Sequence, residues 1–159
     1  MAGQITLSGQ AWLRKQWNRT KLLYQNFTYL NTMLTELFTQ YTVTCYIPKD
    51  ASNTVYNVFI AKRGYTVVSV DYVPNVAQGA TLTATVVKVV TTATPAAATT
   101  PISSSGGVNL NGTAHTVQNV TLTSTSADLV LANGNRIGVV LSGALSTGSG
   151  LLVINLKKT

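Results

Sequence analysis

The pattern that determines the architecture is YTVVSVDYVPNVAQGATLTATVVKVV, residues 65–90. Apolar and polar residues alternate along much of it, as they do when successive side chains point to opposite faces of a sheet. The residues predicted to share one face are Val68, Val70 and Tyr72 in a first strand, and Leu82, Ala84 and Val86 in a second. Gln78-Gly79 supplies turn chemistry between them. The stretch therefore predicts two consecutive strands, 65–73 and 81–90.

The same alternation recurs on both sides of this pair. Further strands are predicted at 43–47, 54–60, 116–123, 128–131, 136–141 and 151–157. In the last of them, Leu152, Ile154 and Leu156 share a face opposite Val153 and Asn155. Turn signals separate the strands, and no helical pattern lies between them. About eight short strands of this kind predict a mainly β fold, an antiparallel β-sandwich resembling a jelly roll.

Residues 10–41 follow a different period and contain neither glycine nor proline. The positions that recur at alternating spacings of four and three are Leu13, Trp17, Thr20, Tyr24, Phe27, Asn31, Leu34, Phe38 and Tyr41. This is a heptad seam, and it predicts a helix of about 30 residues. Several threonines, which are mediocre helix formers, leave open whether the helix is continuous. The predicted organisation is a helical segment, 1–42, followed by a β-sandwich domain, 43–159.

One segment of the predicted sandwich lacks the alternation of apolar and polar residues. Residues 91–107 read TTATPAAATTPISSSGG, a charge-free, low-complexity run that is long for a sandwich loop. Two interpretations remain open: a mobile surface excursion, or an arm that lies on a neighbouring subunit and becomes ordered on assembly.

The composition limits the classes of partner. Hydrophobic residues make up 45% of the chain and charged residues only 9%, so the exterior is predicted to be neutral and rich in threonine. The net charge is +7, with one basic cluster at Arg14, Lys15, Arg19 and Lys21. We expect either a modest solubility charge or a protein partner rather than nucleic acid, because no long basic tract is present. No apolar run approaches the ~20 residues of a membrane span, and the polar face of the predicted helix is mostly Gln, Asn and Thr rather than Lys, so we also expect no membrane partner.

The redox and targeting signals are few. Cys45 is the only cysteine, so an intrachain disulfide is excluded, and its place in a predicted strand favours burial as a small apolar residue. The first residues lack the pattern of a secretory signal, which favours folding in a cytoplasm.

The residue types needed for catalysis are sparse. His115 is the only histidine, and no G-x-S-x-G motif marks a nucleophile. The carboxylates are Glu36, Asp50, Asp71 and Asp128, of which the second and fourth lie at predicted turns. We therefore expect no enzyme activity, no small-molecule substrate, and no cofactor or metal site.

Three segments of the chain resemble the β-sandwich modules of tailed-bacteriophage virion proteins, especially capsid decoration (cement) proteins and head fibres. They are VYNVFIAKRGYTVVSVDYVPNVAQGATLTATVVKV (55–89), VQNVTLTSTSADLVLANGNRIGVVLSG (117–143) and LLVINL (151–156). The pieces that carry most of the resemblance are LVLANGNRIGVVLSG (129–143) and IAKRGYTVVSVDYVP (60–74). The resemblance extends over about residues 54–157.

This resemblance implies a homotrimer that folds in the host cytoplasm, binds the major capsid protein and stabilises the capsid from its exterior. In such proteins an N-terminal segment often anchors the module to the shell. The residues expected to form the capsid anchor or the oligomer seam are Trp12, Arg14, Lys15, Trp17, Arg19, Lys21, Tyr24, Phe27, Leu34 and Phe38.

Other functions remain open at this stage. A receptor- or glycan-binding fibre head would need exposed aromatic side chains beside a carboxylate, and the candidates are Tyr56, Tyr65 and Tyr72 with Asp71. A neck or tail component of the same particle is a further alternative. A single-strand nucleic-acid binder through the basic helix is the least favoured.

Overall fold

The computed structural model describes residues 7–49, 55–90, 92–98 and 100–159. The helical elements are α1 (Leu7–Thr39) and two short 3-10 helices (Pro95–Ala97, Ser126–Leu129). The strands are β1 (Gln40–Ile47), β2 (Val55–Ile60), β3 (Tyr65–Val76), β4 (Thr83–Val89), β5 (Thr100–Pro101), β6 (Val108–Asn109), β7 (Gln118–Asn119), β8 (Val130–Leu131), β9 (Arg136–Leu141) and β10 (Ser149–Lys158). No described helix combines the length and the apolarity needed to cross a membrane.

The strands form two antiparallel sheets. The first has the order β1-β10-β3, with the short β7 and β8 both on the far side of β3. The second has the order β2-β9-β4, with β5 and β6 on the far side of β4. The chain alternates between the sheets from β1 to β4, and the first strand lies beside the last, which is the jelly-roll arrangement of two Greek keys. The predicted β-sandwich with an N-terminal helix is confirmed.

The core lies between the two sheets. Leu152, Ile154 and Leu156 of β10 are buried, and so are Ala84 and Val86 of β4, as the alternation predicted. Their shared cluster is built by the inward faces of both sheets, so apolar burial joins the sheets into one domain.

Val68 departs from the predicted face. Its side chain is 55% exposed, whereas Val70 and Tyr72 are buried. The cause is a β-bulge: Leu156 pairs with Val67 and Asn155 pairs with Ser69, so Val68 is an extra residue in β3. The bulge shifts the alternation by one residue, and Val67 takes the inward position.

The low-complexity segment belongs to the sandwich in its described part. Pro95 and Ile102 are buried, and the Ile102 N–H donates to the carbonyl oxygen of Val86 at 2.7 Å. β5 and β6 add to the edge of the second sheet, although only the other eight strands were predicted. Ile102 supplies apolar burial to this domain's own core, so this part of the segment is not a mobile excursion.

The helix ends earlier than predicted. α1 is one continuous helix to Thr39, and β1 begins at the next residue, so Tyr41 lies in a strand and not in the helical seam. The pairing of residues 40–47 with β10 accounts for this. The threonines do not break α1; the hydroxyls of Thr20, Thr28 and Thr32 donate to carbonyl oxygens four residues earlier in the helix at 2.9–3.0 Å. Contacts divide the chain into two compact units, Met1–Thr39 and Gln40–Thr159.

Candidate functional site

Helix α1 exposes its apolar side chains. Among the described residues, the large apolar side chains of α1 that are 48–72% exposed are Trp12, Leu13, Trp17, Leu22, Leu23, Tyr24, Phe27, Tyr29, Leu30, Met33 and Leu34. Core residues of the sandwich, by contrast, are 8% exposed or less. Exposed apolar side chains in this number on one helix are typical of a surface that contacts another molecule.

The two faces of α1 differ in chemistry. With about 3.6 residues per turn, one stripe of the helix is polar and contains Gln10, Arg14, Asn18, Lys21, Gln25, Thr28 and Thr32. The seam residues Trp17, Tyr24, Phe27 and Leu34 lie beside or opposite this stripe, and Leu23 and Leu30 widen the apolar side. The helix therefore has one polar stripe, and the rest of its circumference carries the large apolar side chains interspersed with polar residues such as Lys15, Arg19 and Asn26.

A small apolar depression lies on the seam of α1. Trp17, Thr20, Lys21 and Tyr24 surround a cavity of about 260 Å³. Their spacing of i, i+3, i+4 and i+7 is that of the four residues that form a hole in knobs-into-holes packing. The hole exists because Thr20 is short while Trp17 and Tyr24 on either side are large. Its shape suits one apolar side chain of a second helix.

The basic residues lie at the N-terminal part of the same helix. Arg14, Lys15 and Arg19 line a second, open depression of about 680 Å³ together with Gln10, Ala11, Asn18 and Leu22. No acidic residue occurs among residues 1–35, and no described carboxylate forms an ion pair with these side chains. This part of α1 therefore presents a positive rim beside its apolar surface.

Basic residues of the sandwich are used differently. The Lys88 ammonium donates to the carbonyl oxygens of Ala127 and Val130 at 2.9 and 3.3 Å. The Arg136 guanidinium donates to Asn57 Oδ1 at 3.1 Å and to the carbonyl oxygen of Ala93. These two side chains fasten segments of the domain to each other, so they are not part of a docking surface.

All ten residues of the predicted docking set lie on α1, although they do not share one face. Trp17, Tyr24, Phe27 and Leu34 follow the seam, with Arg14 and Lys21 along one flank. Trp12, Lys15 and Arg19 lie on the other flank, and Phe38 is in α1 with its side chain outside the described residues. The sequence interpretation missed the exposed Leu22, Tyr29 and Met33, whose spacings of seven and four were visible as a second apolar stripe.

The tyrosine platform expected for a glycan site does not form from the predicted residues. Tyr65 is 8% exposed and Tyr72 1%, because both point into the core. The half-buried Asp71 carboxylate accepts a hydrogen bond from the Ser69 hydroxyl at 3.3 Å. Tyr56 lies in β2, and its side chain is outside the described residues.

A polar depression of about 380 Å³ lies on the outer face of the first sheet. Its floor is a hydrogen-bonded ladder: Thr42 donates to Asn155 at 2.8 Å, and Asn155 donates to Ser69 at 2.9 Å. Since these groups satisfy each other, the ladder joins β1, β10 and β3 and leaves few directed groups for a ligand.

The remaining reactive residue types have structural roles. His115 is exposed in a turn with φ of 60°, and its N–H donates to the Pro74 carbonyl oxygen at 2.7 Å. The Ser142 hydroxyl accepts from the Thr83 N–H at 2.9 Å. Burial raises the pKa of the half-buried Cys45 thiol, which lowers its reactivity. No cluster of three or more potential metal ligands occurs among the described residues.

Comparison with known proteins gives only distant likenesses. No family model matches the chain, and no curated protein does. A solved chain in "Acidic stable capsid structure of Helicobacter pylori bacteriophage KHP30" is similar at a TM-score of 0.44 and 15% identity, over 75% of this chain and 87% of that one. A chain of "Cyanophage Pam1 capsid asymmetric unit" is similar at 0.41 and 12%, over 76% and 84%. A chain of "Structure of infectious bursal disease virus Gx strain" is similar at 0.41 and 14%, over 75% and 32%. Likenesses at this level carry no argument about function.

Proposed function

We propose that this chain is a non-catalytic structural protein of a phage particle, which binds the major capsid protein lattice through α1 and stabilises the shell. The observation that carries the proposal is the exposed amphipathic surface of α1, with its apolar hole and its basic rim. The jelly-roll fold agrees with such a role, although lectins use it too, so the fold by itself does not select the function.

The apolar side of α1 requires a partner. Burying one large apolar side chain contributes about 1.5–3 kcal/mol, and α1 exposes many of them in a single helix. Helices in proteins gain most of their stability from packing of an apolar face against a partner. We therefore expect α1 to be stable only when its apolar face is covered.

The charges favour a protein with an acidic rim. The basic residues span only about two turns, and the rest of the polar stripe is uncharged amide and hydroxyl. A nucleic-acid or membrane surface would be met by basic residues along a longer polar face. The hole between Trp17 and Tyr24 further suits the side chain of a partner protein.

The same helix supports a homotrimer. Asn31 occupies one seam position, where a polar residue sets register and strand number at some cost in stability. Three parallel copies of α1 would bring their basic clusters together without any acidic residue among residues 1–35. We therefore place capsid binding at the basic N-terminal part and the hole that ends at Tyr24, and self-association in the uncharged stretch after Tyr24.

The test uses variants of full-length protein and purified phage particles that lack this chain. Trp17→Ala with Tyr24→Ala removes two walls of the hole, and Gln25→Ala with Thr28→Ala is the matched control on the polar stripe. The double aromatic variant is expected to lose most of its occupancy on the particles, and the control to bind normally. Normal occupancy of the aromatic variant would contradict docking through this surface.

Where the chain sits in the particle is a separate part of the proposal. A neck or tail position would use the same helix surface, so the binding assay must compare intact particles with separated tails. Occupancy on tails alone would move the proposed site away from the shell.

A further inference from the structure

The sheet edges other than β1 carry features that prevent them from pairing with strands of other chains. At the far side of the first sheet, β7 and β8 are two residues long. In the second sheet, β5 is equally short and contains Pro101, and β2 has an extra residue, Val58, where its register with β9 shifts. Short strands, proline and bulges are the features by which sheet edges avoid pairing with other chains.

β1 has none of these features. Its eight residues, QYTVTCYI, pair with β10 in an unbroken register from Gln40 to Ile47, and β10 is its only partner strand among the described residues. It contains no charged residue, no proline and no glycine. Thr42, Thr44 and Tyr46 are exposed on its outer face, and Tyr46 is 54% exposed. An edge that is long, regular and uncharged is a template for a further strand.

We propose that β1 pairs edge to edge and antiparallel with β1 of a second copy, which joins two sandwiches through one continuous sheet. A second copy fits this edge because neither strand carries a charge that would repel its counterpart. The contact is isologous, as in most symmetric dimers. It does not involve α1, so it is independent of the proposed capsid attachment.

The sheet faces restrict the register. Paired residues lie on the same face, so inward residues must meet inward ones, and one residue of β1 must pair with its own counterpart. Centring on Thr44 pairs Thr44 with Thr44 and Thr42 with Tyr46 on the outer face. It also pairs Val43 with Cys45 on the inner face, so both cores continue across the contact. β-branched and aromatic cross-strand pairs of this kind are favourable.

The test is cysteine cross-linking of the full-length protein in a Cys45→Ala background. Thr44→Cys is expected to form an intermolecular disulfide rapidly under mild oxidation. Val68→Cys is the matched control, because Val68 is 55% exposed on β3, inside the same sheet. Cross-linking of Thr44→Cys no faster than that of Val68→Cys, with no faster product from Thr42→Cys or Tyr46→Cys either, would overturn the proposal.

A second variant tests the contact without oxidation. Thr44→Lys places two ammonium groups opposite each other and is expected to halve the mass of the largest species seen by sedimentation, with an unchanged circular dichroism spectrum. An unchanged mass would count against the pairing. The cross-link is expected to persist in the Trp17→Ala/Tyr24→Ala variant, so failure of capsid docking and failure of the β1 contact are distinguishable.

Discussion

Gly150 faces the hydroxyl end of the Tyr72 ring: a methyl group on Gly150 would overlap the Tyr72 hydroxyl oxygen and the ring carbon that carries it. Gly150 is in β10, and Tyr72 is in the neighbouring strand β3, where it pairs with Leu152. The ring is buried because the glycine leaves room for it. The large Tyr72 side chain of β3 thus packs into the space that Gly150 leaves free on the neighbouring strand β10.

We expect Gly150→Ala to destabilise the sandwich by about 1–3 kcal/mol, the usual range for forcing a methyl group into a packed core. The measurement is urea unfolding followed by circular dichroism. Gly106→Ala is the control, because no atom lies within 4 Å of the added methyl group there. Equal stability of the two variants would show that the ring moves aside at no cost.

Gln78 is expected to hold the turn before β10 in place. Its buried Oε1 accepts hydrogen bonds from the N–H groups of Gly148 and Thr147, at 2.8 and 3.2 Å. Gln78→Met keeps a side chain of similar size and leaves these donors without a partner, at a cost of about 1–3 kcal/mol. A thermal midpoint equal to that of the unsubstituted protein would show that water replaces the amide.

Stability is expected to fall in alkaline solution. Burial raises the pKa of the Tyr72 phenol above its ordinary value of 10.0, and nearby Tyr46 adds to the effect. Below that value both states hold the proton, and stability does not depend on it. As the pH rises above it, the unfolded chain releases the proton first, so the free energy of unfolding decreases.

The check is urea unfolding at a series of pH values from neutral to strongly alkaline, in Cys45→Ala protein so that the raised thiol pKa does not contribute. Tyr72→Phe should flatten the decline. A decline of the same size in Tyr72→Phe would assign it to other groups.

Charge on α1 should control how fast the protein docks. Arg14→Gln with Arg19→Gln is expected to slow association with particles about two- to tenfold at low salt and to weaken its salt dependence, because rim charges act mainly on the encounter rate. Lys62→Gln, at an exposed position of the sandwich, is the control. Identical association rates for the two variants would contradict a role of the basic rim in docking.

Local patterns explain most of what the sequence predicted. A short apolar stretch that follows the turn signal Asn133-Gly134 located β9 to the residue, because both signals lie in the strand's own neighbourhood. The bulge at Val68 and the end of α1 depend instead on pairing with distant β10, which local patterns do not contain. The burial of Ile102 could not be predicted for the same reason. It depends on packing against β4, and the sequence around Ile102 is low in complexity.

The exposed apolar side chains of α1 were predicted in part. The heptad spacing identified Trp17 and Tyr24, but the hole between them depends on the shortness of Thr20, which a seam pattern counts as an ordinary member. Leu22 and Met33 were missed because they lie off the seam, and a search for one stripe does not find a second.

The central claim is that α1 holds this protein on a capsid, and the most direct measurement is a cryo-electron microscopy reconstruction of particles that carry the chain. The account predicts three copies with their sandwiches outside the shell, and the residues around Arg14 and Trp17 buried against acidic side chains of the major capsid protein. Density that places the sandwich against the shell and leaves α1 in solvent would contradict it.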